Sequence, residues 1–236
     1  MSWAAKKFWT DVSVDAGGSD FGIRLDARPV RTPGKAELRV PSRALAEAIA
    51  DEWAAVEEKI DPRALPFTRA ANSAIDTVTP HFREVADELA AYGGSDLLCY
   101  RATDPNGLVV AQAKGWDPLL ERAAEAFGAR LTVTSGVVPV DQPADALAAL
   151  RARLDRLDPF ELTAVHALVS LSGSLVIGLL VAGGQLDAEE GWDLSRIDEA
   201  WQERAWGVDA EAAEAAAVKR ADFLRAATLL DLHRRR

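Results

Sequence analysis

The stretch Leu162–Ala182, LTAVHALVSLSGSLVIGLLVA, runs 21 residues with no formal charge beyond a protonatable His166. Its length meets the criterion for a membrane span, and it equally suits the central helix of a large helical core, apolar on every side. Its composition separates the two. Ser170, Ser172, Gly173, Ser174 and Gly178 dilute the run, and both flanks are acidic, with Asp158 and Glu161 before and Asp187, Glu189 and Glu190 after. A membrane anchor favours basic or aromatic flanks. We therefore expect one buried central helix, whose small residues admit close neighbours, and no stable membrane insertion.

Working outward, the pattern toward the N-terminus changes from helix to strand. Phe8, Val12 and Val14 keep to alternate positions, as do Phe21, Ile23 and Leu25, with Asp15–Asp20 as a Gly-rich turn between them. Asp26-Ala27 stands where a tight turn favours Asp-Gly, ahead of Arg28-Pro29-Val30 and a short Leu38-Arg39-Val40 strand. This predicts a small antiparallel sheet. Ser42 can cap a helix whose Leu45, Ile49, Trp53 and Val56 form one face suited to covering that sheet. Pro62 and Pro66 interrupt the chain beyond that helix. From about Thr68 helices dominate: Phe82, Val85 and Leu89 form a stripe that stops at Gly93-Gly94. Asp117-Pro118 reads as a cap followed by proline at the first helical position. Residues 130–140 read as a returning strand pair turning at Ser135-Gly136. Leu147, Leu150, Leu154 and Leu157 mark another amphipathic helix, and Asp158-Pro159-Phe160-Glu161 is a capped start that Asp187 and Glu190 repeat. Asp209 can cap an alanine-rich terminal helix carrying Val218, Ala221, Leu224 and Leu229. The fold class is α+β, with no internal repeat and no low-complexity linker. We expect an N-terminal alpha-beta lobe over residues 1–75 and a helical part over 76–236.

The chain's 236 residues, 49% of them hydrophobic, can fill a substantial core. A formal charge of −10 argues against nucleic acid as a partner, because phosphates need a basic surface. The solitary Cys99 excludes an internal disulfide and a cysteine-based zinc site. Together with an N-terminus, MSWAAKKFW, whose apolar run is too short for a signal peptide, this leads us to expect a cytoplasmic protein.

Signals for chemistry are sparse. The sequence holds no GxSxG, HExxH, P-loop or GxGxxG string, and its paired glycines read as stops. His81, His166 and His233 lie far apart, and Cys99 between Leu98 and Tyr100 has no nearby cation to activate it. We expect no catalytic residue, cofactor or metal.

Binding is better supported, by Trp192–Glu211, WDLSRIDEAWQERAWGVDAE. Read as one helix, it puts Leu194, Ile197, Trp201 and Val208 on a core-facing stripe and Asp198, Glu199, Gln202 and Trp206 on the other side. A large indole among charges needs cover from another helix, a partner, or a turn at Gly207 under which Trp206 could tuck. Aromatic groups supply desolvated contact area and charges orient the rim, so Asp198, Glu199, Gln202, Trp206 and Asp209 are the candidate partner-binding residues. Two other classes stay open: a small-molecule enzyme using a carboxylate of the Asp198/Glu199 pair, and a membrane-associated structural subunit.

A resemblance then narrows these options. Lys7-Phe8-Trp9, LDARPVRTP (Leu25–Pro33), LAEAIADEW (Leu45–Trp53), IDPRALPFTRAANSAID (Ile60–Asp76), Asp96–Arg101, QAKGWDPLL (Gln112–Leu120), SGSLVIGL (Ser172–Leu179) and DEAWQERAWGVDAE (Asp198–Glu211) run nearly end to end. The chain resembles the assembly chaperones of the ATP synthase catalytic head that look after its alpha subunit. It departs from them at Ala27, where the family usually has glycine, and at Ala200, where another carboxylate is common. The resemblance implies a small N-terminal alpha-beta lobe followed by a larger C-terminal all-helical orthogonal bundle. It also implies a role without turnover, binding a free alpha subunit until the beta subunit replaces it; we expect the free protein to be a monomer.

Overall fold

The computed structural model describes residues 6–136 and 139–235. Contacts divide these into two units: the residues up to Phe82 with Asp158–Ala164 and those from Thr228 on, and Arg83–Leu157 with Val165–Ala227.

In the first unit, β1 (Val12–Gly17) and β2 (Asp20–Leu25) form an antiparallel hairpin, and β2 also pairs with β3 (Arg28–Pro29) and β4 (Arg39–Val40). The expected Asp15–Asp20 turn is shorter than its composition suggests. Asp15, Ala16 and Gly17 continue the ladder opposite Gly22, Phe21 and Asp20, which leaves Gly18-Ser19 as the connection. Gly18 there has a φ of 75°, a region glycine enters at little cost. Phe8 lies outside the strand and is exposed. Asp26 holds its own left-handed turn, because its Oδ1 accepts the amides of Thr10 and Asp11. Ser42 caps α1 (Arg43–Ala54), its Oγ accepting from Leu45 N at 3.1 Å and donating to Leu232 O. The helix then buries Leu45 and Ile49, packing against the sheet that buries Ile23 and Val40. Trp53, expected on the same stripe, is half-buried, and its indole N–H donates to Thr68 Oγ1 on α2 (Pro66–Ser73). A π-helical turn, Ala74–Val78, follows α2.

The second unit contains α3 (Phe82–Ala91) from Arg83 on, β5 (Tyr100–Arg101), α4 (Asn106–Phe127), β6 (Thr134–Ser135) and α5 (Ala144–Leu154). The cap expected at Asp117-Pro118 does not form, and α4 runs straight through Pro118. Proline inside a helix forfeits one backbone bond. Here the ring sits on the exposed face while Gln112, Trp116, Leu119 and Ala123 are buried on the other, and that burial carries the helix past the break. The strand pair expected over 130–140 is replaced by β6 alone, parallel to β5; residues 137–138 lie outside the described residues. Gln142 occupies the amide and carbonyl of Thr132, hydrogen-bonding capacity a second strand would have used.

The expected single helix over Leu162–Ala182 is two: α6 (Pro159–Ser172) and α7 (Leu175–Ala182). Gly173 takes a φ of 72°, and Ser174 starts the new helix by accepting from Ile177 N. The fully buried Asp96 completes the cap, its carboxylate accepting from Val176 N and Leu98 N. All of α7 but Val181 is buried, and Gly178 lies so near Val169 that a Cβ would come within 2.5 Å of its Cγ2. Among the described residues no helix is long and apolar enough to cross a membrane.

Candidate partner-binding site

The stretch read as one helix is also broken. It forms the end of α8 (Ala188–Ser195), then α9 (Ile197–Trp206), then the start of α10 (Ala210–Arg234). Two local bonds end α8: Ser195 Oγ donates to Trp192 O, and Arg196 N closes a tight turn onto Asp193 O. The Leu194 carbonyl then accepts from the indole of the fully buried Trp116 at 2.7 Å. Gly207, with a φ of 93°, ends α9. Asp209 begins α10 as its cap, accepting from Ala212 N, so its carboxylate already has a structural task.

Two glycines seat α9 on α4. A Cβ at Gly107 would lie 2.4 Å from the Trp201 ring, and one at Gly115 would lie 2.5 Å from Ile197 Cδ1. Leu194, Ile197 and Trp201 therefore face inward as the periodicity implies. Val208, assigned to the same stripe, is exposed, because Gly207 turns the chain before it can continue the period.

The candidate residues divide by environment. Asp198, expected opposite the apolar stripe, is half-buried and accepts from Gln112 Nε2 at 2.6 Å; Gln112, itself 1% exposed, accepts Ala102 N at its other end. Glu199 is half-buried and paired with Arg196 at 2.6 Å. Gln202 is exposed. Trp206 is 82% exposed, so the turn at Gly207 does not cover it. α9 is thus held along one side by Gln112, Gly115 and Gly107, and presents Gln202 and Trp206 to solvent at its far end.

Sequence alone gives Gln112 and Trp116 no individual role. Their spacing of four residues on a helix that also holds Gly115 is a usable signal, since i and i+4 share a face; nothing in the pattern names Asp198 and Leu194 as their acceptors. Cys99 is buried, and although Arg101 is the nearby cation that the sequence reading did not expect, burial and the neighbouring Asp96 charge outweigh it and push the thiol up to about 12. Among the described residues no three His, Cys, Asp or Glu side chains are grouped to hold a metal ion.

Comparison with known proteins gives the family. The model of the ATP12 chaperone protein family matches residues 6–124. The chain belongs to that family. The crystal structure of Atp12 from Paracoccus denitrificans superposes with a TM-score of 0.94 at 50% identity, over 99% of this chain and 100% of that one. The Atu1473 protein of Agrobacterium tumefaciens gives a TM-score of 0.92 at 42% identity, over 96% of this chain and 85% of its own. The mitochondrial protein atp12 of Schizosaccharomyces pombe is 24% identical over 219 residues, which are 86% of this chain and 74% of the yeast protein. ATP12 chaperones thus share the α+β architecture described above, a small antiparallel sheet followed by helices.

Proposed function

We propose that this ATP12-family protein is an assembly chaperone of the ATP synthase catalytic head. It binds the unassembled alpha subunit, shields the surface that the beta subunit later covers, and acts in the bacterial cytoplasm, as the mitochondrial matrix is the place for eukaryotic relatives. An unassembled subunit exposes an adhesive apolar interface, so its chaperone needs contacts strong enough to protect it and weak enough to be displaced. Electrostatics speeds such encounters without making them permanent.

The observation that carries this reading is an indole 82% exposed at the end of a helix whose other side is fixed by buried partners. An anchored aromatic offers contact area with little ordering cost, the usual character of a binding hot spot. Trp206 and Gln202 are the direct contacts, and Asp198 braces the helix that carries them. Trp206→Ala should leave thermal unfolding unchanged and weaken protection of free alpha subunit from aggregation, followed by light scattering, by about 2 kcal/mol, near thirtyfold. Full protection by this variant would remove Trp206 from the site.

A further inference from the structure

Beside Trp201, α4 and the α8–α9 junction bound an open groove of about 420 Å³. Its floor is small and aliphatic: Ala111 and Gly115 on α4, Leu194 on α8, Ile197 and Ala200 on α9. Gly115 sets the depth, since the close approach of Ile197 leaves no room for a side chain between the helices. Lys114 and Arg204 stand among the lining residues with Asp193 as the one acid, a local excess of positive charge in a chain of net charge −10. Among the described residues neither cation has a carboxylate partner; Arg204 lies over the Trp201 ring at 5.5 Å, and both side chains are exposed. Two neighbouring arginines differ from them, Arg101 being paired with Asp117 and Arg196 with Glu199. Val110, one turn before Lys114 on α4, is 57% exposed and extends the apolar surface past the rim.

We infer that this groove receives a segment of the partner subunit that presents an aliphatic side chain next to a carboxylate. The inference rests on the reading that α9 belongs to the partner surface. The occupant's chemistry follows from charge complementarity: the floor has no donor or acceptor side chain and takes an apolar group, while two cations against the single Asp193 favour an anion. A basic or purely apolar segment would leave Lys114 and Arg204 facing like charge or stripped of water, which is unfavourable.

The test uses the purified full chain and purified alpha subunit, with affinity measured at about 50 and about 300 mM salt, because rim charge pairs are screened by salt. The double variant Lys114→Glu/Arg204→Gln should bind at least tenfold more weakly than wild type at low salt and lose most of the salt dependence, with an unchanged melting curve. Lys114→Arg should bind as wild type. If the double variant binds within twofold of wild type with the same salt response while Trp206→Ala is impaired, the groove is not used and the α9 reading stands. If it binds more tightly, the occupant is basic and the inference is wrong. If wild type shows no affinity for the alpha subunit, the functional reading fails and the groove assignment falls with it.

Discussion

Asp96 shows how much of this molecule turns on single polar groups inside it. Its carboxylate has no exposed surface, yet it joins the amide of Leu98 to that of Val176 at the start of α7. Burial raises its pKa above the ordinary 3.8, against the pull of those amides and of Ser174. A carboxyl whose folded pKa is raised contributes stability that is complete below its unfolded value and is lost as pH rises through its folded value. Wild type should therefore lose stability relative to Asp96→Asn as pH rises above the ordinary 3.8, measured as denaturant midpoints of both proteins at each pH. A difference independent of pH would contradict this. Cys99 gives a second test. With its thiol held near 12 it is protonated at pH 8, so a thiol-specific chromogenic reagent should label it only after unfolding; rapid labelling of the native protein would show the site to be open. The reading of Cys99 as inert came from its apolar neighbours in sequence. The task of Asp96 did not, because it links the local amide of Leu98 to that of Val176, 80 residues away.

At the scale of elements, hydrophobic period marked Leu45, Ile49, Leu150, Leu154 and Leu229, which are buried, but also Phe8, Val208 and Val218, which are exposed, and it was a poor guide to where helices stop. Leu162–Ala182 and Trp192–Glu211 both read through breaks that the chain makes at Gly173 and Arg196. The reason is the same in each. The apolar count continues on both sides, and the stop is made by small local groups, Ser172 and Ser174 around one and Ser195 at the other. Pro118 misled in the opposite direction, as a strong local breaker overruled by burial of the face across from it. The caps at Ser42, Asp158, Asp187 and Asp209 were legible because each acts within three residues of itself. The Gly173 break has a measurable cost. In Gly173→Ala the added Cβ meets nothing nearer than 3.9 Å, so the effect is conformational, about 1 to 2 kcal/mol for a left-handed backbone. The melting midpoint should fall by about 3 to 6 °C. An unchanged midpoint would mean that the α6–α7 corner does not require this φ.

For the whole molecule, the sheet-then-helices order was legible, since a period of two gives way to one near 3.6 along the chain. The site was legible in part. Trp206 stood out as an indole among charges, and it is exposed. The division of labour around it was not, because Gln112 reaches Asp198 across 86 residues. The central claim is that the alpha subunit lies on the outer end of α9 and the turn after it. Hydrogen exchange of the chaperone, alone and in complex with purified alpha subunit, tests it most directly. Slowed exchange over residues 200–214, with little change in β1 and β2, is the expected result; protection confined to the N-terminal sheet, with 200–214 exchanging as in the free protein, would contradict it.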